Sequence, residues 1–141
     1  GAAMAREMKK GLTLIATALK TIERESAGCV ERRRLRLQTR IDELVKGLPV
    51  EQSRLEEEIA IYAERTDISE ECIRLKSHVQ MYRSALTTKE SIGKRLNFIL
   101  QEMNREANTI ASKSTGTTIS SSVISLKEEI EKLRELVQNV E

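Results

Sequence analysis

Apolar residues recur at steps of three and four along almost the whole chain, the spacing that places them on one face of an α-helix. Met8, Leu12, Ile15, Leu19 and Ile22 mark the first stripe, in a helix predicted from about Ala5 to Ser26 with Gly11 as its weak spot. Ala27-Gly28 permits a bend. Val30, Leu37, Ile41, Leu44 and Leu48 then continue the stripe until Gly47 and Pro49 stop the helix. A shorter helix from about Val50 to Arg65 carries Leu55, Ile59 and Tyr62. Asp67 is placed to cap the next helix, with Glu70 three residues on completing a capping box.

Three heptad-like stripes follow: Ile68, Cys72, Leu75, Val79, Tyr82 and Leu86; then Leu96, Leu100, Met103, Ala107 and Ile110; then Val123, Leu126, Ile130, Leu133, Val137 and Val140. The Thr/Ser-rich run Ser112 to Ser122 is the one clear loop, long enough to reverse the chain. No strand of useful length is visible. The expected fold is all-α: antiparallel helices packed as a bundle along coiled-coil-like heptad seams. Such narrow seams bury little area, and small helical bundles supplement their cores by oligomerising. Residues 1–4 read as a cloning remnant, 5–49 as an N-terminal helical arm and 50–141 as the bundle proper.

The polar positions are least ordinary in GKRLNFILQEMNREANTIASKS, Gly93 to Ser114. Glu102 and Glu106 stand one turn apart, where like charges repel by a few tenths of a kcal/mol. Four amides, Asn97, Gln101, Asn104 and Asn108, recur at steps of three and four although Asn is a poor helix former. Local stability is given up there, the pattern of a site. Two carboxylates on one face suit a hard divalent cation, Mg2+ or Mn2+, and phosphodiester hydrolysis uses such an ion to activate water. The plainer reading is a solvated face whose glutamates pair with Arg105 or with a neighbouring helix.

His78, the single histidine, follows Glu71 and Arg74 on the preceding stripe. Its near-neutral pKa suits a metal ligand or a proton-transfer group. Its plainer reading is an interface residue bonded to Glu71 or Arg74. Glu71, His78, Glu102 and Glu106 lie on helices that ought to pack together. Converged, they would form a carboxylate-rich site with one imidazole, suited also to Zn2+.

The net charge of +2 does not by itself announce a nucleic-acid binder. Lys76, Arg83, Arg95, Arg105 and Lys113 share helices with the acidic residues and are the better candidates for RNA phosphates, with Asn104 and Asn108 beside them. The run Arg32, Arg33, Arg34, Arg36 and Arg40 winds around its helix and reads first as a solvated face. With only Tyr62, Tyr82 and Phe98 as aromatics, bases have few stacking platforms. Cys29 and Cys72 lack zinc or redox spacing and fit reduced thiols of a cytoplasmic protein. No signal peptide is seen, and no apolar run approaches the roughly 20 residues that span a bilayer.

DISEECIRLKSHV (Asp67 to Val79), the Gly93 to Ser114 segment and LKEEIEKLRELVQNVE (Leu126 to Glu141) resemble, in order, the C-terminal half of the YicC/YloC family. The resemblance is strong from about Glu51 onward and weaker before it. It implies a metal-dependent endoribonuclease of single-stranded RNA, assembled as a homo-hexamer, whose N-terminal half is not in this chain. Two positions depart from the family's wording. Thr118 stands where an acidic residue is common before Ile119, and TTKESI replaces a Gly- and Pro-containing turn before Gly93. The residues expected to carry chemistry are His78, Glu102 and Glu106, with Glu71 as a further metal ligand. The alternative is a non-catalytic RNA-binding, adaptor or oligomerisation domain supporting a catalytic half elsewhere.

Overall fold

The computed structural model describes residues 1–49, 51–88 and 93–139. Among these lie six helices and no strand: α1 (Ala2–Ala27), α2 (Cys29–Leu44), α3 (Gln52–Thr66), α4 (Ser69–Ala85), α5 (Gly93–Lys113) and α6 (Ser120–Gln138). Helices α1, α6, α5 and α4 pack in that order around a ring, α4 returning to α1. The predicted stripes are its inner faces. Met8, Leu12, Ile15, Leu19 and Ile22 of α1 share one buried cluster with Leu75, Tyr82, Leu96, Met103, Ile110, Leu126 and Leu133 of the other three.

The first helix therefore belongs to the bundle, and the division expected at residue 50 does not follow the packing. Gly11 has a use in this arrangement. A Cβ built there would lie 2.8 Å from Leu133 Cδ2, so the missing side chain lets α1 and α6 approach closely.

The projecting arm is instead α2 with α3. Gly28 interrupts the helix, as Ala27-Gly28 predicts, and α2 leaves the bundle. Its stripe is only partly covered: Val30, Leu37 and Ile41 are half-buried and Leu44 is exposed, as are Leu48 beyond the helix and Leu35 off the stripe, with Cys29 its one buried residue. Helix α3 covers α2 only in part, through Leu55 and Ile59, and leaves Ile61 in solvent. The chain turns at Gly47, whose φ of 74° is open chiefly to glycine. Val50 and Val140, predicted as helix start and stripe end, lie outside the described residues, as does KESI of the turn before Gly93.

Two local expectations shift. Asp67 does hold the start of α4, its Oδ1 accepting from the Ser69 backbone N–H at 3.0 Å. The helix begins at Ser69, however, and Glu70 pairs with Arg74 at 3.4 Å in place of closing a capping box. The loop between α5 and α6 is shorter than predicted. Ser114 carbonyl accepts from Thr117 N–H at 3.0 Å and from Thr117 Oγ1 at 2.6 Å, tightening the turn to residues 114–119. No described helix is long and apolar enough to cross a membrane. Both cysteines are free and buried, and burial pushes the Cys72 thiol up to about 11.

Candidate site on the seam between helices four and five

Helices α4 and α5 run antiparallel, and two polar pairs interrupt their apolar seam. Glu71 of α4 meets Lys113 of α5, with Oε1 to Nζ 2.8 Å. Two turns along, His78 Nδ1 lies 2.7 Å from Glu106 Oε1. The residue numbers of each pair add to the same value, as a single antiparallel register requires. The apolar stripes set that register: Leu75 and Ile110, both fully buried, belong to the layer between the pairs.

Both carboxylates are 4% exposed, so each must be compensated or neutralised. Glu71 is compensated. Burial pushes its pKa up, but the Lys113 ammonium, a backbone N–H and Arg74 outweigh that and hold it below the ordinary value. Lys113 Nζ also donates to the Asp67 carbonyl at 3.0 Å, tying the end of α5 to the start of α4.

Glu106 is compensated less. Burial raises its pKa, the His78 imidazole opposes the shift, and the nearby Glu102 charge adds to it; the net direction is upward. The two groups are within hydrogen-bond distance but poorly aligned. His78 Nδ1 and Glu106 Oε2 lack a well-formed hydrogen-bond partner, as does Glu71 Oε2 in the other pair. The His78 side chain keeps 16% of its surface in solvent, so the pair lies at the edge of the bundle within reach of a bound molecule.

The predicted four-residue site is thus divided. His78 and Glu106 come together; Glu71 is occupied by Lys113, and Glu102 pairs with Arg105 at 3.6 Å. Among the described residues no group of three or more His, Cys, Asp or Glu could hold a metal ion. The reason is spacing. Glu71 and His78 are seven residues apart on one helix, about 10 Å along its axis at 1.5 Å per residue. A metal with ligand bonds near 2 Å cannot bridge that gap.

The expected RNA residues are divided too. Asn104 and Asn108 line a shallow exposed surface with Gln101, Arg105, Ser112 and Lys113. At about 100° per residue, Asn104 lies on the opposite side of α5 from Glu106, so the amides and the buried carboxylate do not share a face. Lys76 bonds Glu23 of α1 at 2.7 Å, on the other flank of α4. Arg83, seven residues on, shares that flank and is exposed. Arg95 is exposed near the start of α5.

A second cluster was not legible as a site. Arg32, Arg33 and Arg36 of α2 meet Arg65 and Tyr62 of α3 beside the Thr115–Thr118 loop. The arginine run signals charge, but nothing in its spacing announces Tyr62 or the loop as neighbours.

A family model described as "Endoribonuclease YicC-like, C-terminal" matches residues 22–141. A curated protein of Clostridioides difficile named probable endoribonuclease YicC is 39% identical over 142 aligned positions, covering 100% of this chain and 48% of that protein. Its namesake in Haemophilus influenzae is 42% identical over 94 residues, 67% of this chain and 33% of the relative. The chain spans about half, or less, of the length of these curated relatives.

Proposed function

Because the chain belongs to the YicC-like endoribonuclease family and carries its C-terminal region, we propose that it is the RNA-handling part of an enzyme that cleaves single-stranded RNA. In this reading His78 transfers the proton and Glu106 positions it. The observation that carries it is the 2.7 Å approach of His78 Nδ1 to Glu106 Oε1 at the solvent edge of the seam. An ionised Glu106 favours the tautomer with its proton on Nδ1 and leaves Nε2 as the basic nitrogen. Nε2 takes a proton from the attacking water as the new P–O bond forms. The imidazolium, stabilised by Glu106, returns a proton to the leaving oxygen as the old P–O bond breaks. Arg95 and Arg105 are the exposed cations of α5 that would hold the strand, chiefly by its backbone, while Asn104 and Asn108 lie on the far side of the helix. Lys113 contributes less, being committed to Glu71.

The residues present do not make a self-sufficient metal site, because His78 and Glu106 are two donors and Glu71 is held by a lysine. A divalent cation used in the reaction (Mn2+, Mg2+ or Zn2+) would take its remaining ligands from RNA phosphate or from the rest of a longer enzyme. Assembly into a homo-oligomer, with the exposed leucines of α2 as contacts, belongs to the same proposal.

The test is cleavage of a labelled single-stranded RNA by this chain, with divalent cation and with chelator, beside His78→Ala and Glu106→Gln. Cutting that is lost in His78→Ala, with helicity unchanged, supports the assignment; cutting that survives overturns it. A second reading is favoured by the two-donor limit and by the share of the relatives that the chain spans. The domain then binds RNA without cutting it, and chemistry is completed in the remainder of the enzyme. Salt-sensitive binding unaffected by chelator, with no cleavage, is the outcome that selects it.

A further inference from the structure

The arginine cleft at the joint between bundle and arm gathers four guanidinium groups. Of the arginines outside it, Arg34 pairs with Glu31 and Glu56, Arg74 with Glu70 and Glu71, Arg105 with Glu102 and Arg134 with Glu131, while the others form no ion pair among the described residues. Arg33, Arg36 and Arg65 form no ion pair with a carboxylate of the described residues. Arg32 donates to the Glu25 carbonyl at 2.6 Å, a neutral acceptor. No acidic residue lines the cleft at all. Four guanidinium groups gathered without a counter-charge repel one another, and an anion is what relieves that repulsion.

The forks are also held in place. The guanidinium carbons of Arg33 and Arg65 lie 5.3 and 5.8 Å from the centroid of the Tyr62 ring. The Tyr62 hydroxyl is fixed in turn by Cys29 Sγ at 3.1 Å. Stacked guanidinium groups lose less freedom when they bind, and their planar forks match phosphate oxygens. The opposite wall is the Thr115–Thr118 loop, turned by Gly116 at a φ of 77°. The cavity is about 190 Å³, room for about six waters at roughly 30 Å³ each.

Arg33 and Arg36 also line a neighbouring depression along α2 with Arg40, Leu35, Leu37 and Glu43, so three arginines face one carboxylate there. A row of cations suits a chain of phosphates better than a single ion.

We propose that the Arg32–Arg33–Arg36–Arg65 cleft around Tyr62 grips the phosphate backbone of a single-stranded RNA and leads it along α2, away from the seam that holds His78. The choice of RNA as the polyanion rests on the endoribonuclease reading; the phosphate chemistry does not. The same arginines could instead serve only to cement α2 to α3 by stacking on Tyr62, so the test reads stability beside binding.

Binding of a fluorescent single-stranded RNA is measured by anisotropy from about 50 to 200 mM salt. The full chain is compared with an Arg33→Ala/Arg36→Ala/Arg65→Ala variant, the corresponding Lys variant and His78→Ala. At about 0.7 per phosphate contact on a single strand, the Ala variant should flatten the log–log salt slope by about 2. Its affinity at about 100 mM salt should fall roughly tenfold or more. The Lys variant keeps the charges and should keep most of the slope.

An unchanged slope and affinity in the Ala variant overturn the proposal while leaving the endoribonuclease reading intact. So does a Lys variant that fails like the Ala variant with an equal drop in Tm, which would make the arginines structural. No RNA binding by the unaltered chain at about 50 mM salt also overturns it. RNA held through the cleft but never cut, with or without His78, supports the cleft and sinks the assignment of His78.

Discussion

Helices α4 and α5 are joined by two buried carboxylates whose fates differ. Glu71 faces the Lys113 ammonium, and its pKa is held below the ordinary value. Glu106 faces the His78 imidazole, which carries charge only when protonated, and burial drives its pKa upward. Residue type, burial and seam are the same. The partner decides which way a buried carboxylate's pKa moves. The lysine clamp contributes to stability; the His78 pair is the one that the proposed function would use for proton transfer.

The comparison is broken most severely at His78. Under the proposed function, His78→Ala should lower RNA cleavage by about 10²- to 10⁴-fold, the range of general acid–base contributions, with little change in Tm. Next is the clamp. Glu71→Gln leaves Lys113 without its charge partner and should cost about 2 kcal/mol in urea unfolding. That is below the 3–5 kcal/mol of a fully buried pair, because Lys113 still reaches solvent. Replacing Lys113 by Met in the same protein should recover most of the loss; failure to recover would mean Glu71 stabilises α4 in some other way.

The third effect is one of sign with pH. Glu71 has a lowered folded pKa, so its stabilisation is present above its unfolded value near 4.5 and is lost as pH falls toward the folded value. Glu106 has a raised folded pKa, so the native state holds the extra proton, and stability falls as pH rises from about 4.5 through the folded value. Near pH 7, Glu106→Gln should therefore be neutral to stabilising, within about 1 kcal/mol. A Glu106→Gln variant as destabilised as Glu71→Gln would erase the distinction. The smallest effect is at Glu70, whose side chain is 83% exposed beside Arg74. Glu70→Ala should change stability by no more than about 0.5 kcal/mol in the same denaturation series.

Much of this fold is written in the chain. The stripes of α1, α4, α5 and α6 are the inner faces of the bundle because a 3.6-residue period with apolar residues every three or four positions must bury that face. The stripe of α2 has the same period but is only half-buried. Periodicity says that a face is apolar, not that another helix covers it, and Leu44 and Leu48 remain in solvent. His78 and Glu106 were legible as unusual residues on adjacent stripes, but Glu102 and Glu71 were grouped with them on spacing alone.

Local order therefore follows from the sequence by itself: where helices start and stop, which face each one buries, and that Glu71, His78 and Glu106 lie beside an apolar seam. Helix geometry is set by neighbours a few residues apart, and those are read directly. Partnership was decided only in the tertiary structure. The antiparallel register of α4 and α5 set Glu71 against Lys113 and His78 against Glu106, and the turn between α2 and α3 brought Arg33, Arg65 and Tyr62 together. Such meetings depend on how whole helices rotate and slide against one another, which the summed packing of the core settles and no single stretch of residues encodes.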